Sequence, residues 1–436
     1  MNPTVTNPAT GVQAALSAAE DQYRNANPTS LERHVRAAAS MPGGNTRTAL
    51  HYSPFPLTFS HGDAQHLVDL DGHEYVDFLG EYSAGLYGHS HPAIMAAARA
   101  ALDAGIAYGG PNRHEAEFAE LLCGRFPSVD LVRFVNSGTE ANLMAIATAR
   151  ARTGRSHIMV FDGGYHGGVL SYRGASPVNV PYPVVIGTYN DVEGSLELID
   201  RHRDDLAAVI VEPMLGGAGA IPGTAEFLHA LQSGSADAGA VFILDEVMTS
   251  RLAPGGLQEV HGLTPDLTTF GKYLGAGFGC GAFGGARSLM AMYDPSRSGG
   301  LSHPGTFNNN TLTMAAGAAG LREVWTPEVA YEHNRNGDRL RDRLNALFMK
   351  SGVALQATGI GSLIGIHFQR TPISTVADIE PAVAKRALLH LEMIARGYYF
   401  ARRGYLALSV ALEPSDHDGF LAALEDVLSV HREVLA

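Results

Sequence analysis

The chain has 436 residues, room for two or three domain-sized units around a large core. Charged residues make up 17%, below the usual quarter or so, while 50 glycines amount to about 11% against a typical ~7%. This composition excludes a disordered chain, and a net charge of −13 excludes nucleic acid as the main partner, because the average field repels phosphate. Excess glycine and scarce charge suit an obligate subunit interface or a glycine-lined ligand site. Cys123 and Cys280, a single widely spaced pair, make neither a disulfide framework nor a zinc site. With no basic-then-apolar leader and no uncharged apolar run long enough to span a bilayer, a soluble cytoplasmic protein without a membrane partner is expected.

Two helical patterns open the chain, one carrying Ala15, Leu16 and Ala19 and the other ending near Met41, where Met41-Pro42-Gly43-Gly44-Asn45 breaks both helix and strand. Short strand-like pieces follow at 56–59, 66–69 and 74–78, the last two joined across Asp71-Gly72, which predicts a hairpin on a type I′ turn. From about residue 90, apolar runs at 131–135, 157–161, 207–211, 241–244 and 267–270 alternate with helical periodicity, as at 140–153 and 224–238. Buried strands alternating with helices predict an α/β fold whose largely parallel sheet is covered on both faces. Beyond about residue 328 the chain becomes more charged, with helical stretches at 332–349, 379–396 and 414–433. The expected organisation is a large domain at 90–327 and a smaller α+β domain at 328–436, to which an N-terminal segment, 1–89, contributes.

Ligands of an open parallel sheet bind outside the carboxyl ends of its strands. At those ends stand Asn136-Ser137-Gly138-Thr139-Glu140, Gly163-Gly164-Tyr165-His166-Gly167, Glu212-Pro213, Asp245-Glu246-Val247 and Gly271-Lys272. Ser137-Gly138-Thr139 leads into a helix, so it is either a phosphate cup or an ordinary helix cap. Asp245 emerges from the most apolar strand and needs compensation. A protonated pyridine nitrogen would serve, as would a salt bridge to an arginine such as Arg251. A metal shared with Glu246 is weakened because neighbouring strand residues point to opposite faces. Lys272 precedes Gly275, Gly277, Gly279 and Gly281. A desolvated amine there suits Schiff-base chemistry, and a solvated surface lysine is the alternative. Phosphate cup, carboxylate and amine together ask for a phosphate, a basic ring nitrogen and a carbonyl on one ligand, which pyridoxal 5′-phosphate provides.

With these motifs in this order, together with Gly305-Thr306, the chain resembles a class III aminotransferase of PLP fold type I from about Pro42 to near its C-terminus. Met41-Pro42-Gly43-Gly44 and Pro304-Gly305-Thr306 are similar to glutamate-1-semialdehyde aminomutases. Asn45-Thr46-Arg47, the run DEVMTSRLAP from Asp245 and GTFNNN from Gly305 more closely resemble the aromatic β-amino acid (β-phenylalanine) aminotransferases. The resemblance implies that Lys272 forms the internal aldimine and then moves the substrate proton. It implies that Asp245 keeps the pyridine nitrogen protonated, that Ser137, Gly138 and Thr139 bind the phosphate, and that Tyr165 and Val247 cover the two ring faces, with His166 also at the cofactor. Thr306 matches a hydroxyl that reaches the neighbouring subunit's phosphate, which implies a homodimer with shared sites and dimer contacts from the N-terminal segment. Glu212 resembles a carboxylate near the ring, with a structural ion pair as the other reading.

The same resemblance assigns Arg47 to the β-amino acid carboxylate and to the distal carboxylate of the acceptor, expected to be 2-oxoglutarate. Arg403 matches a second arginine that meets the acceptor's α-carboxylate and moves aside for an aromatic side chain; a surface arginine is the blander reading. Arg402 stands beside it, and adjacent residues of an extended segment point opposite ways. Tyr82, Tyr87 and Tyr108 are the aromatic residues that could line the pocket. The activity implied is ping-pong transamination between a small-molecule amino donor and a 2-oxoacid, with no metal. An aminomutase that needs no second substrate is the alternative. A noncatalytic dinucleotide-binding protein is disfavoured, because no G-x-G-x-x-G follows the first strand of a βαβ unit with an acidic residue beyond it.

Overall fold

A computed structural model describes residues 8–435. Its centre is a seven-stranded sheet in the order Leu131–Val135, Gly281–Gly285, Leu267–Gly271, Val241–Asp245, Leu206–Val211, His157–Phe161 and Val184–Gly187. All neighbours run parallel except at Gly281–Gly285, which is antiparallel to both of its partners. Leu206–Val211 and Val241–Asp245 are buried at every position, as strands covered on both faces must be, and this is why they read as unbroken apolar runs. The strands expected for this sheet all form, and two more join them. Val184–Gly187 is a four-residue edge strand, and Gly281–Gly285 is a strand where the glycines suggest loop.

Glycine is required in that strand by close approach. A Cβ on Gly281 would run into the Ser137 carbonyl, and one on Gly285 into the Asp266 carbonyl. Missing side chains thus let the antiparallel strand lie against the loop that enters the helix Gly138–Thr153.

The two ends of the chain build one unit. Its apolar core draws on residues from Val12 to Leu79 and from Leu340 to Leu435, with Met214, Leu252 and Leu257 of the central part. Tyr398–Tyr399 adds in parallel to Glu74–Asp77, extending the sheet begun by Phe59–Asp63 and His66–Asp69. A second small sheet holds Gln356–Ile360, Leu363–His367 and Tyr405–Ala407. Two local expectations change. The strand expected at 56–59 starts only at Phe59, and the hairpin loop is not type I′, since Gly72 has a positive φ and Asp71 does not. Asp69 Oδ1 instead accepts from the N–H groups of Asp71 and His73, which braces a three-residue loop with Gly72 left-handed.

Gly281→Ala tests this packing. The added methyl must displace backbone, so a loss of about 1–3 kcal/mol in urea denaturation is expected, where an open strand site would tolerate alanine.

Candidate active site

Asp245 ends the strand Val241–Asp245 and is 3% exposed. Its Oδ2 accepts from Asn142 Nδ2 at 2.8 Å and from His166 Nδ1 at 2.7 Å, and its Oδ1 from the Val247 N–H at 3.0 Å. Asn142 is oriented by Thr269, whose hydroxyl donates to its carbonyl at 2.6 Å, and it also donates to the His166 carbonyl. His166 therefore sits behind Asp245 as a buried support rather than beside open space.

Neither alternative partner for Asp245 is used. Arg251 is fully buried and donates to the Ser83 and Leu408 carbonyls and the Ser362 hydroxyl, and burial lowers its pKa to about 10. Glu246 turns away to accept from the N–H groups of Leu257 and Gln258 and from the Thr249 hydroxyl. Among the described residues no group of three metal-ligating side chains forms.

Ser137 is the N-cap of the helix Gly138–Thr153, its Oγ accepting from the Glu140 N–H at 3.2 Å. The hydroxyl acts as a cap, while the N–H groups of Gly138 and Thr139 stand at the positive end of the helix dipole, where no earlier turn supplies acceptors. A Cβ on Gly138 would lie 2.8 Å from Val247 Cγ1, so the glycine lets Val247 settle on the loop. Thr139 Oγ1 accepts from the Gly168 N–H at 3.3 Å, which joins this loop to the one carrying Tyr165.

Lys272 follows the strand Leu267–Gly271 with φ of +54°, a conformation costly for a side-chain-bearing residue and typical of functional sites. Burial lowers its amine pKa, Asp245 and Glu212 oppose that, and Arg47 and Arg403 add to it. Tyr165 is 42% exposed, and its N–H donates to Glu212 Oε2 at 2.8 Å. Glu212 also accepts from the Gly216 N–H, and among the described residues it forms no ion pair within 4.0 Å, though His166 and Arg173 act on it electrostatically. Burial raises its pKa to about 7. Sequence reasoning missed Arg173, whose guanidinium lies 5.3 Å from the Tyr165 ring centre in a notch left by Gly217, where a Cβ would collide with it.

Two arginines converge on Tyr82. Arg47 lies 5.7 Å from the ring centre and pairs with Glu81, while Arg403 lies 5.0 Å from the same centre and 5.4 Å from that of Tyr405. Tyr82 belongs to a run, Gly80 to Ser83, in which every φ is positive. Asp77 Oδ1 braces the run by accepting from the Leu79 and Gly80 N–H groups, and the Ser83 carbonyl is held by Arg251. Arg402 makes no such ring contact and lies near His390, on a cavity that Tyr82 and Arg403 also line. An open cavity of about 1150 Å³ runs from Arg47 and Glu81 to Ser137, Gly138 and Lys272. Tyr87 reaches it only from the core, and Tyr108 is removed from it, with its hydroxyl bonded to the Ala104 carbonyl. Thr306 is exposed, in a segment tied to the Ser137 loop by a hydrogen bond from Asn136 to Asn308.

The family model described as aminotransferase class-III matches residues 48–392. The chain is 46% identical to the β-phenylalanine transaminase of Variovorax paradoxus, over 97% of this chain and 98% of the relative. A β-phenylalanine aminotransferase structure from that organism superposes with a TM-score of 0.96, at 46% identity, covering 97% of this chain and 99% of the other. An ω-transaminase structure from Sphaerobacter thermophilus superposes with a TM-score of 0.88 at 35% identity, covering 92% and 98%. The glutamate-1-semialdehyde 2,1-aminomutase of Desulfatibacillum aliphaticivorans is 35% identical over 92% of this chain and 99% of its own.

The raised pKa of Glu212 carries a sign that can be measured. A carboxyl raised from 4.5 to about 7 in the fold favours the native state less as pH climbs through that window. In protein stripped of bound small molecules, Glu212→Gln is expected to gain stability relative to wild type between pH 5 and 8, by no more than about 3 kcal/mol. Urea denaturation at the two pH values reads this, and parallel pH slopes would contradict it.

Proposed function

The chain belongs to the class-III aminotransferases, and from that membership we propose that it moves the amino group of an aromatic β-amino acid, of the 3-amino-3-phenylpropanoate type, to 2-oxoglutarate, giving a β-keto acid and glutamate. It is an aminotransferase, and its cofactor is pyridoxal 5′-phosphate. When bound, that cofactor supplies an electrophilic carbonyl and a protonated ring that withdraws electrons from the reacting carbon. The residues present fit it: a buried carboxylate with no protein guanidinium, a helix start with open N–H groups, and an amine whose pKa is lowered.

In this reading the Asp245 carboxylate, fixed by Asn142 and His166, accepts the ring N–H. Ser137, Gly138 and Thr139 take the phosphate, and Tyr165 and Val247 flank the ring. Lys272 Nζ would hold the cofactor through its carbonyl carbon and is the group that would move a proton to and from the substrate carbon. A base works best when its pKa lies near the working pH, and desolvation brings the lysine toward that range. Arg47 grips the carboxylate of the β-amino acid and the distal carboxylate of the acceptor, and Arg403 the acceptor's α-carboxylate, each by a bidentate fork. The observation that carries the reading is the pair of guanidinium groups over one tyrosine ring beside Lys272. Donor and acceptor differ in side chain but share carboxylates, and this pair can serve both.

We further assign the assembly as a homodimer in the cytoplasm, with Thr306 of the partner subunit completing the phosphate site. Exposed Thr306 and Phe307, beside the Asn136–Asn308 contact, support that reading, and no described helix is long and apolar enough to cross a membrane.

Racemic 3-amino-3-phenylpropanoate with 2-oxoglutarate should yield glutamate, and Lys272→Ala should yield none. Arg403→Ala is expected to raise KM for 2-oxoglutarate tenfold or more while the donor half-reaction, followed by absorbance, changes little. Turnover of glutamate-1-semialdehyde with no added oxoacid would replace this reading with the aminomutase one.

A further inference from the structure

Arg403 borders a second, smaller cavity of about 190 Å³. Its walls come from the 217–219 segment, from Gly365 and His367 of the strand Leu363–His367, from Arg386 of the helix Val383–Ile394 and from Tyr405. No acidic residue lines it. Among the described residues, neither Arg386 nor Arg403 has a carboxylate within ion-pair distance, and Arg386 Nε is buried with no hydrogen-bond partner. His367, 2% exposed, faces the Gly219 carbonyl through Nε2 at 2.9 Å and leaves Nδ1 unpartnered. Arg173, in the notch at Gly217, stands a third cation near the rim.

Guanidinium groups that line one cavity repel one another, and withdrawing part of each from water is costly unless an anion offsets it. Burial already lowers the pKa of Arg386. Burial lowers that of His367 as well, with Arg386 adding to the effect, so the imidazole stays neutral and the positive charge of the cavity rests on the arginines. The volume is below that of ordinary cofactor pockets, which restricts any ligand to a small one.

We propose that this cavity is an oxyanion site, in which a carboxylate or a small inorganic oxyanion lies between Arg386 and Arg403. The anion draws Arg403 toward the helix Val383–Ile394 and thereby sets how far that guanidinium reaches over Tyr82. The chemistry is shared by two sources, a carboxylate of the acceptor and a free anion. Only the choice between them rests on the reading of Arg403 given under Proposed function.

Calorimetric titration of the cofactor-loaded enzyme with sodium sulfate tests it. One equivalent of sulfate should bind to wild type and to Arg47→Ala, and should be lost in Arg386→Ala. Arg386→Lys, which keeps the charge but not the fork, should bind it about tenfold more weakly. Isotherms of Arg386→Ala that superimpose on wild type, with circular dichroism showing both folded, overturn the proposal. If Arg386→Ala does not fold, Arg386→Lys decides, and unchanged affinity there overturns it equally. Kinetics then separate the sources. Sulfate competing with 2-oxoglutarate, with KM for it raised tenfold in Arg386→Ala, identifies the acceptor's carboxylate, whereas noncompetitive sulfate and an unchanged KM identify a free anion. The titration needs no amino donor, so its outcome is independent of whether the donor reading holds.

Discussion

A carboxylate buried at the mouth of an apolar strand is the constraint around which the site is organised. Asp245 cannot be left bare at 3% exposure, and the protein supplies three N–H donors rather than an arginine or lysine. Each donor comes from a different part of the chain. Asn142 is on the helix behind the Ser137 loop, His166 is on the loop carrying Tyr165, and the Val247 N–H is on the turn that follows the strand. Satisfying one charge therefore fixes the relative positions of three loops, and Thr269 on the adjacent strand locks the asparagine that joins two of them. Three donors on two oxygens leave the carboxylate able to accept from a ligand as well.

A second buried charge links the sheet to the unit made by the chain ends. Arg251 lies just beyond Asp245 in sequence, yet its hydrogen bonds go to Ser83, Ser362 and Leu408, residues of the N- and C-terminal parts. Carbonyl oxygens spread the cation's compensation over several backbone segments. The left-handed run that presents Glu81 and Tyr82 is held from one side by Asp77 and from the other by this arginine. Backbone strain of that kind persists only where surrounding structure over-determines it.

The strand-end motifs were legible in the sequence because an acidic residue closing an apolar strand, and a lysine among glycines, conflict with the bland rules for strands and surfaces. The parallel strands were legible for a related reason: burial on both faces leaves unbroken apolar runs. Gly281–Gly285 was not, since three of its five residues are glycines without side chains to signal a strand, and its cause is contact with carbonyls distant in sequence. Arg173 was equally silent, because an arginine in a loop acquires meaning only through the notch at Gly217. Arg251 stands in the sequence as a possible ion-pair partner for Asp245, and only tertiary placement sends it to the Ser83 and Leu408 carbonyls and the Ser362 hydroxyl instead. Tyr108 was misread because an aromatic near a glycine-rich turn looks the same whether it faces a pocket or a helix end.

Arg47 and Arg403 come from opposite ends of the chain and meet over one ring, in a unit whose sheet is closed by Tyr398–Tyr399 pairing with Glu74–Asp77. Synthesis proceeds from the N-terminus, and domains fold as they emerge. The central sheet, with Asp245 and Lys272, is complete in sequence long before Arg403 leaves the ribosome. Asp245 and Lys272 are therefore synthesised before the second of the two guanidinium groups that meet over Tyr82. The two halves of the site are thus separated by the order of the chain, and the pair over Tyr82 is complete only when the C-terminal part joins the N-terminal one.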